Sequence, residues 1–267
     1  MNIRTSVHLA ALGALLCGSS ALAQTKAVES RHYEFGLNSS DSDTSDSTSN
    51  GTLGVDAIAT FPIGAYFGAS VGGSYSRSKV RTRDVLGNNP DAVPGSRQSC
   101  SFDNSNGEAG LFFRRPEYGR IGASYGKGKI SADCDGESIF LLTGTDSLDT
   151  ENYAVDAEYY LGNFTFGAEY RVAELENSTE DLKSTTLSAS WYPIDSLKVS
   201  LWGNDLHEDD TYGIVVEHQP QMLGDGFSVK LGVSTTDVSP KTRTVTLGLA
   251  YFFGREVPLK TRDRQYR

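Results

Sequence analysis

The chain has 267 residues, with 24 Lys and Arg against 34 Asp and Glu, and a formal net charge of −10. That acidic balance argues against nucleic acid as a partner, because recognition of nucleic acid needs a basic footprint. After the leader, no stretch approaches the roughly 18 consecutive apolar residues of a membrane helix, so no helix is expected to anchor the chain.

Residues 1–23 are built like a secretory signal peptide. Arg4 gives a charged start, LAALGALL an apolar run, and Ala21-Leu22-Ala23 a small-x-small cleavage site before Gln24. Leu16 stands before Cys17 where a lipobox wants a small residue, which disfavours lipidation. Export leaves Cys100 and Cys134, and an even cysteine count in an oxidising compartment reads as one disulfide.

Twelve strand-like segments follow, near 32–39, 52–61, 65–75, 107–115, 120–130, 151–161, 164–173, 183–192, 197–204, 211–219, 226–235 and 242–253. Each alternates apolar and polar residues, as in YAVDAEYYLGNFTFGAEYRV (153–172), the period of a strand with two unlike faces. Short connections rich in turn formers, PIG (62–64), PEYG (116–119), GN (162–163), PIDS (193–196) and PQMLGD (220–225), interleave with mostly longer ones at 40–51, 76–106, 131–150, 174–182, 205–210 and 236–241. That rhythm on an even strand count predicts an up-and-down meander with both termini on the tight-turn side.

The two faces differ sharply. One carries Leu53, Val55, Ala57, Ala59 and Phe61 in the second segment and Val245, Leu247, Leu249, Tyr251 and Phe253 in the last. The other carries Glu34, Asp56, Glu108, Asp156, Glu158, Glu169 and Glu217 with Arg114, Arg120, Arg171, Lys198 and Lys230, between small residues such as Gly68, Gly72, Gly122, Ser124 and Ser188. Large aromatics sit at both ends of the apolar face: Phe61, Phe67, Phe113, Tyr159, Phe164, Trp191 and Phe253 near the short turns, Tyr75, Tyr125, Tyr153, Tyr170 and Tyr212 near the long loops. Two aromatic girdles around an aliphatic band fit the two interfaces of a bilayer. Apolar runs of about nine positions fit a tilted strand crossing the hydrocarbon. A closed barrel satisfies every backbone group there, which an open sheet does not. The expected fold is therefore all-β, a transmembrane antiparallel up-and-down β-barrel over 24–254, apolar side to lipid and charges inside, with a basic periplasmic tail over 255–267.

Over residues 31–253 this pattern, with the aromatic ending LGLAYFF (247–253), resembles the outer-membrane β-barrels of Gram-negative bacteria and the porin-like channels among them. Such barrels commonly finish on a terminal aromatic, whereas GREVPLKTRDRQYR follows Phe253 here. The resemblance implies an outer-membrane location with both termini periplasmic, contact with outer-membrane lipids and lipopolysaccharide, and insertion by the barrel-assembly machinery.

The corresponding function is a porin-like channel for passive diffusion of small hydrophilic solutes. Its charged face would line the pore and give a mild cation preference, since acids exceed bases. The alternatives are a plugged structural or adhesion barrel, or a barrel enzyme acting on lipid. An enzyme is disfavoured: of the histidines beyond the leader, His32 and His218 fall at the turn end and His207 in a long loop, where no Ser-His-Asn triad would be built. Acidic-oligosaccharide channels of the same strand number have an arginine-rich lumen, and this face has only Arg114, Arg120 and Arg171. GNDLHEDD (203–210) and SSDSDTSDSTSN (39–50) read as solvated loops; the latter lacks the glycine and closing glutamate of a calcium loop. Arg77, Lys79, Arg81 and Arg83 alternate just above the outer girdle, where lipopolysaccharide phosphates would meet them. The tail reads as a disordered basic end. No cofactor or metal motif is present.

Overall fold

A computed structural model describes residues 27–44, 49–83, 97–134, 147–176, 181–206, 209–224, 226–237 and 241–267. Twelve antiparallel strands follow one another around a closed barrel. They are β1 (His32–Thr44), β2 (Ser49–Pro62), β3 (Phe67–Arg83), β4 (Arg97–Arg115), β5 (Gly119–Cys134) and β6 (Ser147–Leu161), then β7 (Phe164–Leu175), β8 (Leu182–Ile194), β9 (Leu197–Leu206), β10 (Asp209–His218), β11 (Phe227–Thr236) and β12 (Thr242–Phe253). The last strand closes on the first, from Tyr33 opposite Phe253 to Thr44 opposite Thr242. Among the described residues every strand has a partner on both sides, which is the condition for a sheet to live in hydrocarbon.

The expected meander is the observed one. All five tight connections lie at one end, referred to below as the turn end. Gly162 adopts φ +55°, the left-handed conformation that a two-residue hairpin requires. Gly119 is needed for a different reason: a methyl group there would run into the Glu158 carbonyl oxygen on β6. Gly119→Ala should therefore lower the thermal unfolding midpoint of the detergent-folded barrel, read by heat-modifiable gel migration, without changing the fold.

At the opposite end the strands run further than the apolar alternation does. β3 continues to Arg83 and β4 begins at Arg97, so much of the expected 76–106 loop is paired sheet. Most of SSDSDTSDSTSN is likewise strand rather than loop, with Ser42 and Thr244 hydroxyls 2.7 Å apart across β1 and β12. Alternation reports only where a strand touches lipid; past the girdle both faces are polar and the ladder continues on backbone bonds alone. β4, at 19 residues, is nearly twice the length needed to cross the bilayer.

The outward face is apolar and bare. Leu53, Leu111, Leu187, Leu201 and Leu247 are each more than half exposed, Leu111 at 63%. A soluble protein does not present an apolar band on this scale. Aromatics pack along both rims: Phe67 on Phe113 (5.5 Å) and Phe227 on Tyr251 (4.5 Å) at the turn end, Tyr125 on Tyr153 (5.2 Å) at the other.

The tail departs most from expectation. Rather than a disordered end, it forms a short helix, α1 (Leu259–Gln265), which enters the barrel at the turn end. Leu259, Arg262 and Tyr266 are buried there, together with Ala27 and Val28 from the other terminal segment.

Candidate functional site

Strand alternation turns every charged residue named above for the inner face toward the lumen, and glycines make the room. At Gly122 a Cβ would press on the Asp156 carboxylate, and at Gly36 on that of Asp56. The inner charges fall into two groups at different heights.

The first is a belt across the middle. Arg171 of β7 reaches over two intervening strands to Glu108 of β4 at 2.9 Å and also holds Glu169 at 3.1 Å. Arg120 lies 3.5 Å from Asp156 and stacks over the Phe112 ring at 4.7 Å. Glu158 accepts a bond from Tyr160 Oη at 2.7 Å, and Asp56 one from Asn38 Nδ2 at 3.4 Å. The belt is not packed solid. A cavity of about 330 Å³ lies among Glu108, Asp156 and Glu169, and one of about 270 Å³ lies below it; Ser70, Arg120, Glu158 and Ser188 line both.

The second group rings α1. Arg262 is fully buried against Glu217, whose Oε1 also accepts from Ser228 Oγ at 2.8 Å. Lys198 lies 3.0 Å from Glu217 and 2.7 Å from Asp263, which accepts a further bond from Tyr192 Oη at 2.9 Å. Burial raises the Asp263 carboxyl, but the Lys198 and Arg267 charges hold it below the usual aspartate range. Arg267 grips Glu34 with two nitrogens and Asp263 at 3.2 Å. Lys230 stands 3.9 Å from Glu34. Arg114, fully buried, donates to the main-chain oxygens of Arg267 and of Ala27. Arg264 lies over the Tyr160 and Tyr192 rings and donates to the Gly162 and Phe164 carbonyls. His32 stacks on Phe252 at 4.8 Å and meets the edge of Tyr266.

Glu34, Arg114, Lys198, Glu217 and Lys230 thus belong to the seat of a plug, while Asp56, Glu108, Arg120, Asp156, Glu158, Glu169 and Arg171 remain in the open belt. Sequence reasoning missed the plug residues Arg262, Asp263, Arg264 and Arg267. The available signal was a Pro258 start followed by helical spacing of Leu259, Arg262 and Tyr266, with Asp263 and Arg267 four apart.

On the outer surface Arg77 forms a two-point bond to Asp103 at 2.7 Å, and Tyr75 Oη donates to the same carboxylate at 2.8 Å. Lys79 shares its face; the side chains of Arg81 and Arg83 lie outside the described residues. The basic stripe continues two strands away with Lys127, paired to Glu151 at 2.7 Å, and Lys129. These were invisible in sequence because they belong to another strand. The register sets Cys100 opposite Cys134 on β4 and β5. The signal segment 1–23 and His207 lie outside the described residues. His218 sits at the turn end, its Nδ1 3.1 Å from the Ser196 carbonyl. Among the described residues no three potential ligands gather into a metal site, and no helix is long and apolar enough to cross a membrane.

No family model matches the sequence, and no curated protein does. Solved structures do match. An outer-membrane channel from Pseudomonas putida F1 aligns at a TM-score of 0.61 with 8% identity, over 88% of this chain and 100% of that one. The translocator domain of the autotransporter NalP from Neisseria meningitidis aligns at 0.51 with 12% identity, over 93% and 94%. The KdgM porin in complex with disordered oligogalacturonate aligns at 0.50 with 7% identity, over 82% and 99%. At these identities the likeness is one of fold: the chain is a twelve-stranded barrel of the outer-membrane type.

Proposed function

We propose that the chain is an outer-membrane channel for passive diffusion of small hydrophilic solutes. One observation carries the reading: an apolar exterior encloses a belt of ionised side chains with open space between them, where a purely structural barrel would be filled. The P. putida channel shares the fold, which supports the same reading. Asp56, Glu108, Arg120, Asp156, Glu158, Glu169 and Arg171 are the pore-lining residues on this view. Seven strand-borne carboxylates face five strand-borne cations in the lumen, the basis for a mild cation preference. The test is planar-bilayer recording of the refolded chain from residue 24 onward: single-channel steps in KCl support the channel, and their absence from both this protein and its tail-less form overturns it.

A second reading, a permanently closed barrel, is favoured by α1 at the turn end. The two differ in whether that helix leaves its seat.

The turn end faces the periplasm in this proposal, since both termini are expected there, with insertion by the barrel-assembly machinery. A Cys100–Cys134 disulfide would tie the tops of β4 and β5, and their register supports it. The basic outer stripe contacts lipopolysaccharide. Changing Arg77, Lys79, Arg81 and Arg83 together to Gln should reduce co-purifying lipopolysaccharide severalfold, measured by phosphate assay; unchanged retention would remove those four residues from the proposal.

A further inference from the structure

We infer that residues 255–267 form a displaceable gate, whose withdrawal opens the channel at the turn end and makes it cation-preferring. The inference rests on the channel reading.

The barrel does not need this segment. The β1–β12 ladder ends at Phe253, and all twelve strands are paired without any residue beyond it. The exposed stretch Gly254–Glu256 joins ladder to helix, a tether that moves without disturbing the sheet.

The seat is made of contacts that release together. Arg262 with Glu217 is a buried ion pair, and Asp263 with Lys198 and Arg267 with Glu34 are partly buried ones. Such pairs gain little net free energy over their hydrated partners, because desolvation offsets most of the attraction. When the helix withdraws, both members of each pair return to water at once, and no lone charge is stranded. Only Leu259 and Tyr266 bury apolar side chains. Outside its seat a seven-residue helix cannot persist, so the segment has two states, seated and helical or free and uncoiled. Seated and free states separated by small net terms are what a gate requires.

The charge count links gating to selectivity. The tail brings Arg262, Arg264 and Arg267 into the lumen with a single acid, Asp263. Added to the strand-borne seven acids and five bases, the tail's side chains bring the two signs level among the side chains of the lumen. Its departure restores the acidic excess and uncovers Glu217 and Glu34, which then face the ion path.

Two variants test this. In the first the chain stops after Gly254. In the second, Asp195→Cys/Lys260→Cys, a disulfide can pin the helix to the β8–β9 turn, since Lys260 N–H bonds the Asp195 carbonyl at 3.0 Å and so brings the two backbones within reach of a bridge. Each is recorded in planar bilayers in a KCl gradient, with heat-modifiable migration reporting folding. The expected results are an open probability at least about tenfold above wild type for the shortened chain, the factor that about 1.4 kcal/mol represents, with a reversal potential displaced toward cations, and a pinned variant silent until reductant is added. Wild type and Lys260→Cys with and without reductant control for the native cysteines. If the pinned and reduced forms conduct alike, the gate is overturned while the channel stands. If the shortened chain is folded but silent, the gate is overturned, and the channel reading fails with it when the wild type is silent too. If the shortened chain does not fold, the pinned variant decides alone.

Discussion

Glu217→Ala should unseat the C-terminal helix. Arg262 has no exposure in its seat, and its guanidinium meets Glu217 and the Ser228 hydroxyl. Removing the carboxylate leaves a buried cation with only the more distant Asp263 carboxylate, 3.8 Å from its Nε, which Lys198 also claims. Breaking one side of a buried pair typically costs about 3–5 kcal/mol, a change of more than about a hundredfold in the ratio of seated to free forms. The barrel is spared, because the free tail hydrates. Trypsin reads the outcome: cleavage after Lys260, Arg262 or Arg264 should be slow in the folded wild type and fast in the variant, with the core band unchanged. Replacing both partners, Glu217→Leu with Arg262→Leu, should restore much of the protection, since a matched apolar pair needs no counter-charge. Equal cleavage in all three proteins would mean that this pair does not hold the helix.

Leu249→Arg should be the most damaging single change on the outer surface. Leu249 stands between Leu37 and Val229 on the neighbouring strands, with the Tyr251 and Phe253 rings toward the turn end. An arginine near the bilayer midplane of a barrel costs about 2–4 kcal/mol. Thr246 points the other way, into a cavity of about 230 Å³ shared with Asn38 and Asp56. Thr246→Arg should therefore leave stability within about 0.5 kcal/mol. Urea titrations in lipid vesicles check both. Equal effects at the two positions would mean that the faces are not divided between lipid and lumen.

The division of faces was the most legible feature of this chain. Phe164, Phe166, Ala168 and Tyr170 alternate with Thr165, Gly167 and Glu169, and no other arrangement of β7 separates those sets. The upper halves of β3 and β4 were not legible. SRSKVRTR has no apolar alternation, so its pairing with residues 97–104 comes from register inherited from the membrane part below. Within the lumen, alternation showed which charges face inward but not which ones meet. The Arg171–Glu108 bond spans 63 residues of sequence and depends on barrel curvature. The plug was hidden for a related reason. LKTRDRQ is too short and too polar to announce a helix, and its stability comes from a ring of partners contributed by remote strands.

That ring has a consequence for biogenesis. Glu34 is contributed by the first strand, Arg114 by the fourth, and Lys198 and Glu217 by the ninth and tenth. They converge on one circle only after the final strand has zipped to the first. A half-built sheet offers the tail nowhere to dock, so docking marks completed closure, and the last segment to be threaded into place becomes the cylinder's own certificate of assembly.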